Sequence, residues 1–235
     1  MGADYGTILN AVEPGIQAAV INSGGGSTLD MARWGGNPLA NAVLGLRRPV
    51  LLNLPGPAYD LAWPLRDQPP MIVNVPGAIA IQECFERIEW NMMAGDPLAY
   101  APHLRSASLS TVPPKHILFQ FGLGDRSELN PVETNEIRAA GMRDSTSLYR
   151  HDLAVAADPT LPLDPHRFAF PLPTDSAAQR AIARAAQRQM TDFFTGDGLS
   201  VPDANGDVRL AFGRNLFEVP SVLPAGFNFV SAPKN

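Results

Sequence analysis

The segment Lys115–Arg138, KHILFQFGLGDRSELNPVETNEIR, restricts the possible folds more than any other stretch of this chain. Ile117, Leu118, Phe119 and Phe121 form a short apolar run, the pattern of a strand buried on both faces. Gly122 and Gly124 break the run, and Asp125 stands where the chain leaves the sheet. Pro131 is well placed to open a helix in which Ile137 and Ala140 face inward. A doubly buried strand followed by a glycine turn and a helix belongs in a parallel sheet flanked by helices, the α/β class. Ligands and chemistry collect at the carboxyl ends of such strands, which makes Asp125 a candidate functional residue.

The rest of the chain is consistent with that class. Residues 2–13 carry helical spacing through Ile8 and Val12 and stop at Pro14-Gly15. Ile16–Ile21 reads as a buried strand that ends in the glycine-rich turn Asn22–Ser27. A helix is expected over Asn37–Arg48, then an irregular proline-studded stretch to Pro76, then a second helix over Gly77–Met93 with Ile81, Phe85, Ile88 and Met92 on one face. The block is too long for an ordinary loop and reads as a largely helical lid or pocket insertion spanning residues 37–112 of a domain that covers 1–235. Asp96–Ser106 is expected to return the chain to the sheet. Ser147–Asp152 offers a further strand, 153–165 a loop, and Thr174–Phe194 the clearest helix, capped by Thr174 or Asp175 with Ala178, Ile182, Ala185 and Phe193 inward. Short extended pieces are expected around VRLAF and LFEVP near the end.

A hydrophobic fraction of 45% over 235 residues can bury a sizeable core. A net charge of −5 with 17% charged residues gives no electrostatic reason to expect nucleic acid. No apolar run is long enough to span a membrane. The lone cysteine, Cys84, excludes an intrachain disulfide and a cysteine-rich metal site, and its helical surroundings suggest a buried, inert thiol.

A second functional candidate lies further on, at His166 in LDPHRFAF, in a segment expected just before a helix. An acid at one strand end and a histidine after a later strand form the acid–base half of a hydrolase triad. Taken singly, Asp125 reads equally as a carboxylate leading a helix, and His166 as a capping or packing histidine. Asp158 and Asp164 precede His166, but neither ends a buried strand. His103, His116 and His151 lack a paired carboxylate pattern and read as structural or exposed. Ser23, Ser27 and Thr28 flank the glycine run, which reads as a flexible turn and not as a strained nucleophile elbow. DANGD, Asp203–Asp207, lacks the glycine position and closing glutamate of a calcium loop and reads as a surface turn. Trp34, Trp63 and Trp90 near the insertion could line a pocket or pack in the core or the lid.

Several segments together resemble the α/β-hydrolase family, in particular bacterial lipases and esterases with a lid insertion. They are GTILNA (Gly6–Ala11), AAVINSGGG (Ala18–Gly26), DPLAYA (Asp96–Ala101), ILFQFGLGD with NPVET and RAAG, and DPHRF followed by AQRQMTDFF. The resemblance implies Asp125 and His166 as the catalytic acid and base. It also implies that Met1 falls directly after the nucleophilic serine, so that its nitrogen takes the place of an oxyanion-hole donor. On this resemblance the chain corresponds to the C-terminal half of an α/β-hydrolase fold. The implied substrate is a small-molecule or lipid ester, no cofactor or metal is implied, and the implied partner is the N-terminal half carrying the serine. The isolated chain is then expected to be inactive. The alternative expectation is a non-catalytic α/β domain that binds or assembles with a partner.

Overall fold

A computed structural model describes residues 2–34, 78–196 and 198–226. Met1, the helix expected over Asn37–Arg48, the irregular stretch to Pro76 and Trp63 lie outside the described residues, as do the side chains of Trp34 and Ile81.

The expected buried strand is present as β2, His116–Gly122. It pairs in parallel with β1, Ala18–Asn22, on one side and with β3, Thr146–Tyr149, on the other. A two-residue strand β4, Phe217–Glu218, runs antiparallel to β3, which gives a four-stranded sheet among the described residues in the order β1-β2-β3-β4. Alternation along β2 sorts its side chains between two layers. Ile117, Phe119 and Phe121 join a core with Ala11, Ile21, Leu104, Ile137 and Met142. That layer includes helices α1 (Gly2–Val12) and α5 (Asn130–Ala140). From the opposite face Gln120 donates to the Gln189 side chain (2.7 Å) and to the Ala186 carbonyl (3.2 Å) on the long helix α7, Ala177–Thr195. A second core around Tyr149, Phe168, Ile182, Leu216 and Phe217 fills that side together with helix α8, Asn205–Phe212. The sheet is therefore covered by helices on both faces, as expected for an α/β chain.

Between β1 and β2 lie helix α2 (Thr28–Trp34), helix α3 (Ala78–Met92) and the single helical turn α4 (Pro97–Tyr100). The expected helix over Gly77–Met93 corresponds to α3, on which Phe85 is buried and Trp90 is exposed. Cys84 on the same helix is only half-buried, so the expected buried thiol is corrected.

Asp96–Ser106 does not extend towards the sheet but forms α4 and a following 3-10 turn, Ala101–Leu104. The cause is local, because Asp96 accepts a hydrogen bond from the Leu98 N–H (2.9 Å) as an N-cap and Pro97 follows in the first turn. The expected loop after β3 instead begins with helix α6, His151–Ala157. The expected extended piece VRLAF lies in α8, and DANGD is the entry to that helix and not a surface turn. Buried Asn205 there accepts from the backbone N–H groups of Leu216 and Phe217, both at 2.9 Å. Helix α7 starts later than expected. Ser176 is its N-cap, in a capping box with Gln179, and Asp175 is engaged by Arg167 instead.

Candidate active site

Asp125 follows the carboxyl end of β2 in a turn that its own side chain organises. Oδ1 accepts from the backbone N–H groups of Ser127 (2.9 Å) and Glu128 (2.8 Å), and the carboxyl group is fully buried. Asn130 braces the same turn from below. Its Oδ1 accepts from Gly124 N–H (2.8 Å), and its Nδ2 donates to the Gly122 carbonyl (2.7 Å) and to Glu133 (2.7 Å).

His166 arrives from the segment between α6 and α7, in a turn well ahead of α7 rather than directly before a helix. Its Nδ1 stands 3.1 Å from Asp125 Oδ2, across 41 residues of sequence. With the carboxylate as acceptor, Nδ1 carries the proton and Nε2 keeps its lone pair. Burial pushes the imidazole pKa down, but the hydrogen bond and charge of Asp125, helped by Glu128 and Asp164, outweigh it and the net direction is up. Burial likewise raises the Asp125 carboxyl above its ordinary 3.8, opposed by His166 and by the Glu128 N–H.

The two residues singled out for acid–base chemistry are thus brought together at the tip of one strand and in the loop after its neighbour. Met1 is outside the described residues, but Gly2, Ala3 and Gly6 at the start of α1 line the same cleft as His166. That cleft holds about 410 Å³ and is bordered also by Ser23 and Phe170.

The glycine run after β1 is not a flexible turn, and this corrects the expectation for it. It is a closely packed strand-to-helix connection between α1, α4 and α5. Methyl groups added at Gly24, Gly25 and Gly26 would lie 2.5 Å from Ala3 Cβ, 2.8 Å from Val132 Cγ1 and 2.6 Å from Leu98 Cβ. Thr28 begins α2 directly after Ser27, and the N–H groups of Ser27 and Thr28 are held by the Asp96 carboxylate at 2.9 and 2.8 Å.

Ser23 itself occupies the left-handed region at φ 46°, unusual for a residue other than glycine. Its hydroxyl donates to the His166 carbonyl (3.1 Å), so it serves as a strut under the histidine loop. Nothing in the sequence pattern signalled it beyond its position at a strand end.

The remaining histidines stand apart from this pair. His103 Nδ1 lies 2.6 Å from the Ala107 carbonyl. His116 opens β2, and His151 is buried in α6 against the Tyr149 hydroxyl at 3.2 Å. Asp164 binds backbone N–H groups, and Asp158 caps its own turn through the N–H of Thr160 (3.0 Å).

Four acidic side chains, Asp4, Glu128, Glu133 and Glu136, are buried close by. Burial pushes both Glu128 and Glu136 up to about 8 and Glu133 well above its ordinary value. Among the described residues, no group of three or more His, Cys, Asp or Glu side chains is arranged to hold a metal ion. No helix among them is long and apolar enough to cross a membrane. No known protein family matches this chain, and no match is found among curated proteins or solved structures.

Proposed function

We propose that this chain supplies the acid–base half of a serine ester hydrolase of the lipase/esterase kind. In this reading it forms the C-terminal half of an α/β-hydrolase fold, and the attacking hydroxyl comes from residues ahead of Gly2. The observation that carries the reading is the 3.1 Å contact between His166 Nδ1 and Asp125 Oδ2 at the edge of a cleft shared with the start of α1. Asp125 holds the imidazole in one tautomer. Nε2 removes the proton from the attacking hydroxyl as its oxygen bonds to the ester carbonyl carbon, then returns that proton to the departing alcohol. Water releases the acyl group by the same route in reverse. The nitrogen of Met1 is proposed as one donor to the developing oxyanion.

The chain by itself is expected to be inert towards p-nitrophenyl esters and unlabelled by a fluorophosphonate probe. Joined to a serine-bearing N-terminal segment, it is expected to hydrolyse such esters and to lose about 10⁴-fold or more in turnover as Asp125→Asn, the scale seen for that replacement in a serine protease. Covalent labelling of the isolated chain would overturn this assignment, and peptide mapping to Ser23 would move the nucleophile to the strand tip of β1.

A second reading, a non-catalytic domain that assembles with a partner, draws support from β1. Among the described residues this strand has a neighbour on one side only. Absence of ester turnover in the chain completed with a serine-bearing segment would favour it.

A further inference from the structure

Asp164 lies two residues before His166, and its carboxylate joins two loops at once. Oδ1 accepts from the backbone N–H of His166 (3.0 Å) and from that of Arg126 (3.1 Å). Oδ2 accepts from the Ser127 hydroxyl at 3.1 Å. Arg126 directly follows Asp125, so one side chain grips the main chain beside each member of the pair.

Pro165, between the two, stiffens the link because its ring fixes φ. It also packs against the end of β2, where a methyl group added at Gly122 would lie 3.0 Å from both Pro165 Cβ and Cγ. From the β1 side, the Ser23 hydroxyl holds the His166 carbonyl. The 3.1 Å contact between Asp125 and His166 has little slack, because a hydrogen bond is largely lost once donor and acceptor separate beyond about 3.6 Å. Whatever sets the spacing of the two loops therefore decides whether that contact exists.

We propose that Asp164 is the positioning residue of the Asp125–His166 pair, a clip that sets the spacing of their loops by hydrogen-bond geometry and not by its charge. Its consequence for turnover rests on the ester-hydrolase reading above, whereas its consequence for the pair can be read on the pair directly.

Two substitutions separate geometry from charge. Asp164→Asn keeps an acceptor for the Arg126 and His166 N–H groups and turns a donor to the Ser127 hydroxyl, which can accept, while the charge is lost. Asp164→Glu keeps the charge but moves the carboxylate by one methylene. The readout is the low-field proton resonance of His166 Nδ1–H in the 235-residue chain, assigned by its disappearance in His166→Ala.

D164N is expected to retain that resonance, and D164E to lose it to solvent exchange. Retention in D164E, or loss in a folded D164N, overturns the proposal. Should D164E fail to fold, Ser127→Ala serves as the second variant, because it removes one of the three bonds. Faster exchange of the same proton is then expected, and unchanged exchange overturns the clip. A role confined to overall stability would lower the melting temperature in these variants and leave the resonance in place. Ester turnover of the chain completed with a serine-bearing segment tests the hydrolase reading separately. An intact resonance without turnover would sink that reading and leave the clip standing.

Discussion

Thr7 in α1 donates its hydroxyl hydrogen to the buried carboxyl of Glu136 in α5, joining two helices across 129 residues of sequence. The other carboxyl oxygen, Oε2, is buried and has no hydrogen-bond partner among the described residues. Burial pushes the group up to about 8, with the Thr7 bond opposing and the charges of Asp4 and Asp96 reinforcing. Burial, then Asp4 and Asp125, do the same to Glu128. In the unfolded chain both titrate near the ordinary 4.5. Between those limits the folded state keeps protons that the unfolded state releases, so stability falls as pH rises. The contribution is complete below about 4.5 and lost as pH passes through about 8. Urea unfolding at pH 5, 7 and 8.5 is expected to show a falling midpoint. Glu136→Gln is expected to flatten the profile and to be the more stable protein at the highest pH, by on the order of 1–2 kcal/mol. A midpoint independent of pH would contradict this.

The histidine of the pair gives a second expectation. Burial alone would hold the His166 ring below its ordinary 6.5, and Asp125 is the main group that reverses this. Asp125→Asn is therefore expected to lower the His166 pKa, as read from the ring Cε1–H resonance in an NMR titration. An unchanged titration would mean that the 3.1 Å contact does not persist in solution.

Packing around the glycine run can be tested by adding one methyl group. At Gly26 a Cβ would meet Leu98 Cβ at 2.6 Å and Leu98 Cα at 2.9 Å, and backbone cannot swing aside. Gly26→Ala is expected to cost about 2 kcal/mol or more. Gly206 in α8 is the control, since nothing lies within 4 Å of an added Cβ. Gly206→Ala there is expected to gain about 0.5–1 kcal/mol from helix propensity. Thermal melts of the two variants should move in opposite directions.

The apolar surface around β1 leads to a prediction about association. Helix α1, which packs on β1, exposes Tyr5, Leu9 and Val12, while β1 is paired on one side only among the described residues. An unpaired strand edge beside exposed apolar side chains favours pairing and aggregation. The chain expressed alone is expected to be poorly soluble or to self-associate with rising concentration, and Leu9→Lys to reduce this. A monodisperse monomer by sedimentation at high concentration would refute it.

What was legible in the sequence follows the range of the forces involved. β2 could be read because every residue after His116 is buried, and α7 because its apolar stripe recurs over nineteen residues. The Asp125–His166 pairing was legible only through the two strand-end motifs and the resemblance, since no local pattern states that residues 41 apart will touch. Elements set by one side chain reaching to a distant backbone were missed. Asp96 turns an expected extended return into a helical cap and fastens the start of α2, and Asn205 holds the 216–217 backbone. The glycine run was misread for the same reason. Its composition suits a flexible turn equally well, and only the packed neighbours Ala3, Val132 and Leu98 show why side chains are missing there.

Asn130 was not singled out in the sequence, yet the turn carrying Asp125 depends on it. Its side chain is fully buried and satisfies three groups: the Gly124 N–H, the Gly122 carbonyl and one oxygen of Glu133. Asn130→Ala leaves all three without their partner in a place that water does not reach, at an expected cost of about 3 kcal/mol or more. Asn130→Asp keeps the acceptor for Gly124 but sets a second carboxylate against Glu133, whose pKa burial already holds well above 4.5. The aspartate variant is therefore expected to be the less stable of the two at pH 8 and to recover towards pH 5, as both carboxyls take up protons. Because the same turn fixes the Asp125 backbone, both variants should also shift the His166 ring resonances, which a purely remote packing defect would leave unmoved. Denaturant unfolding at the two pH values, read together with those resonances, decides whether this amide is what holds Asp125 in reach of the histidine.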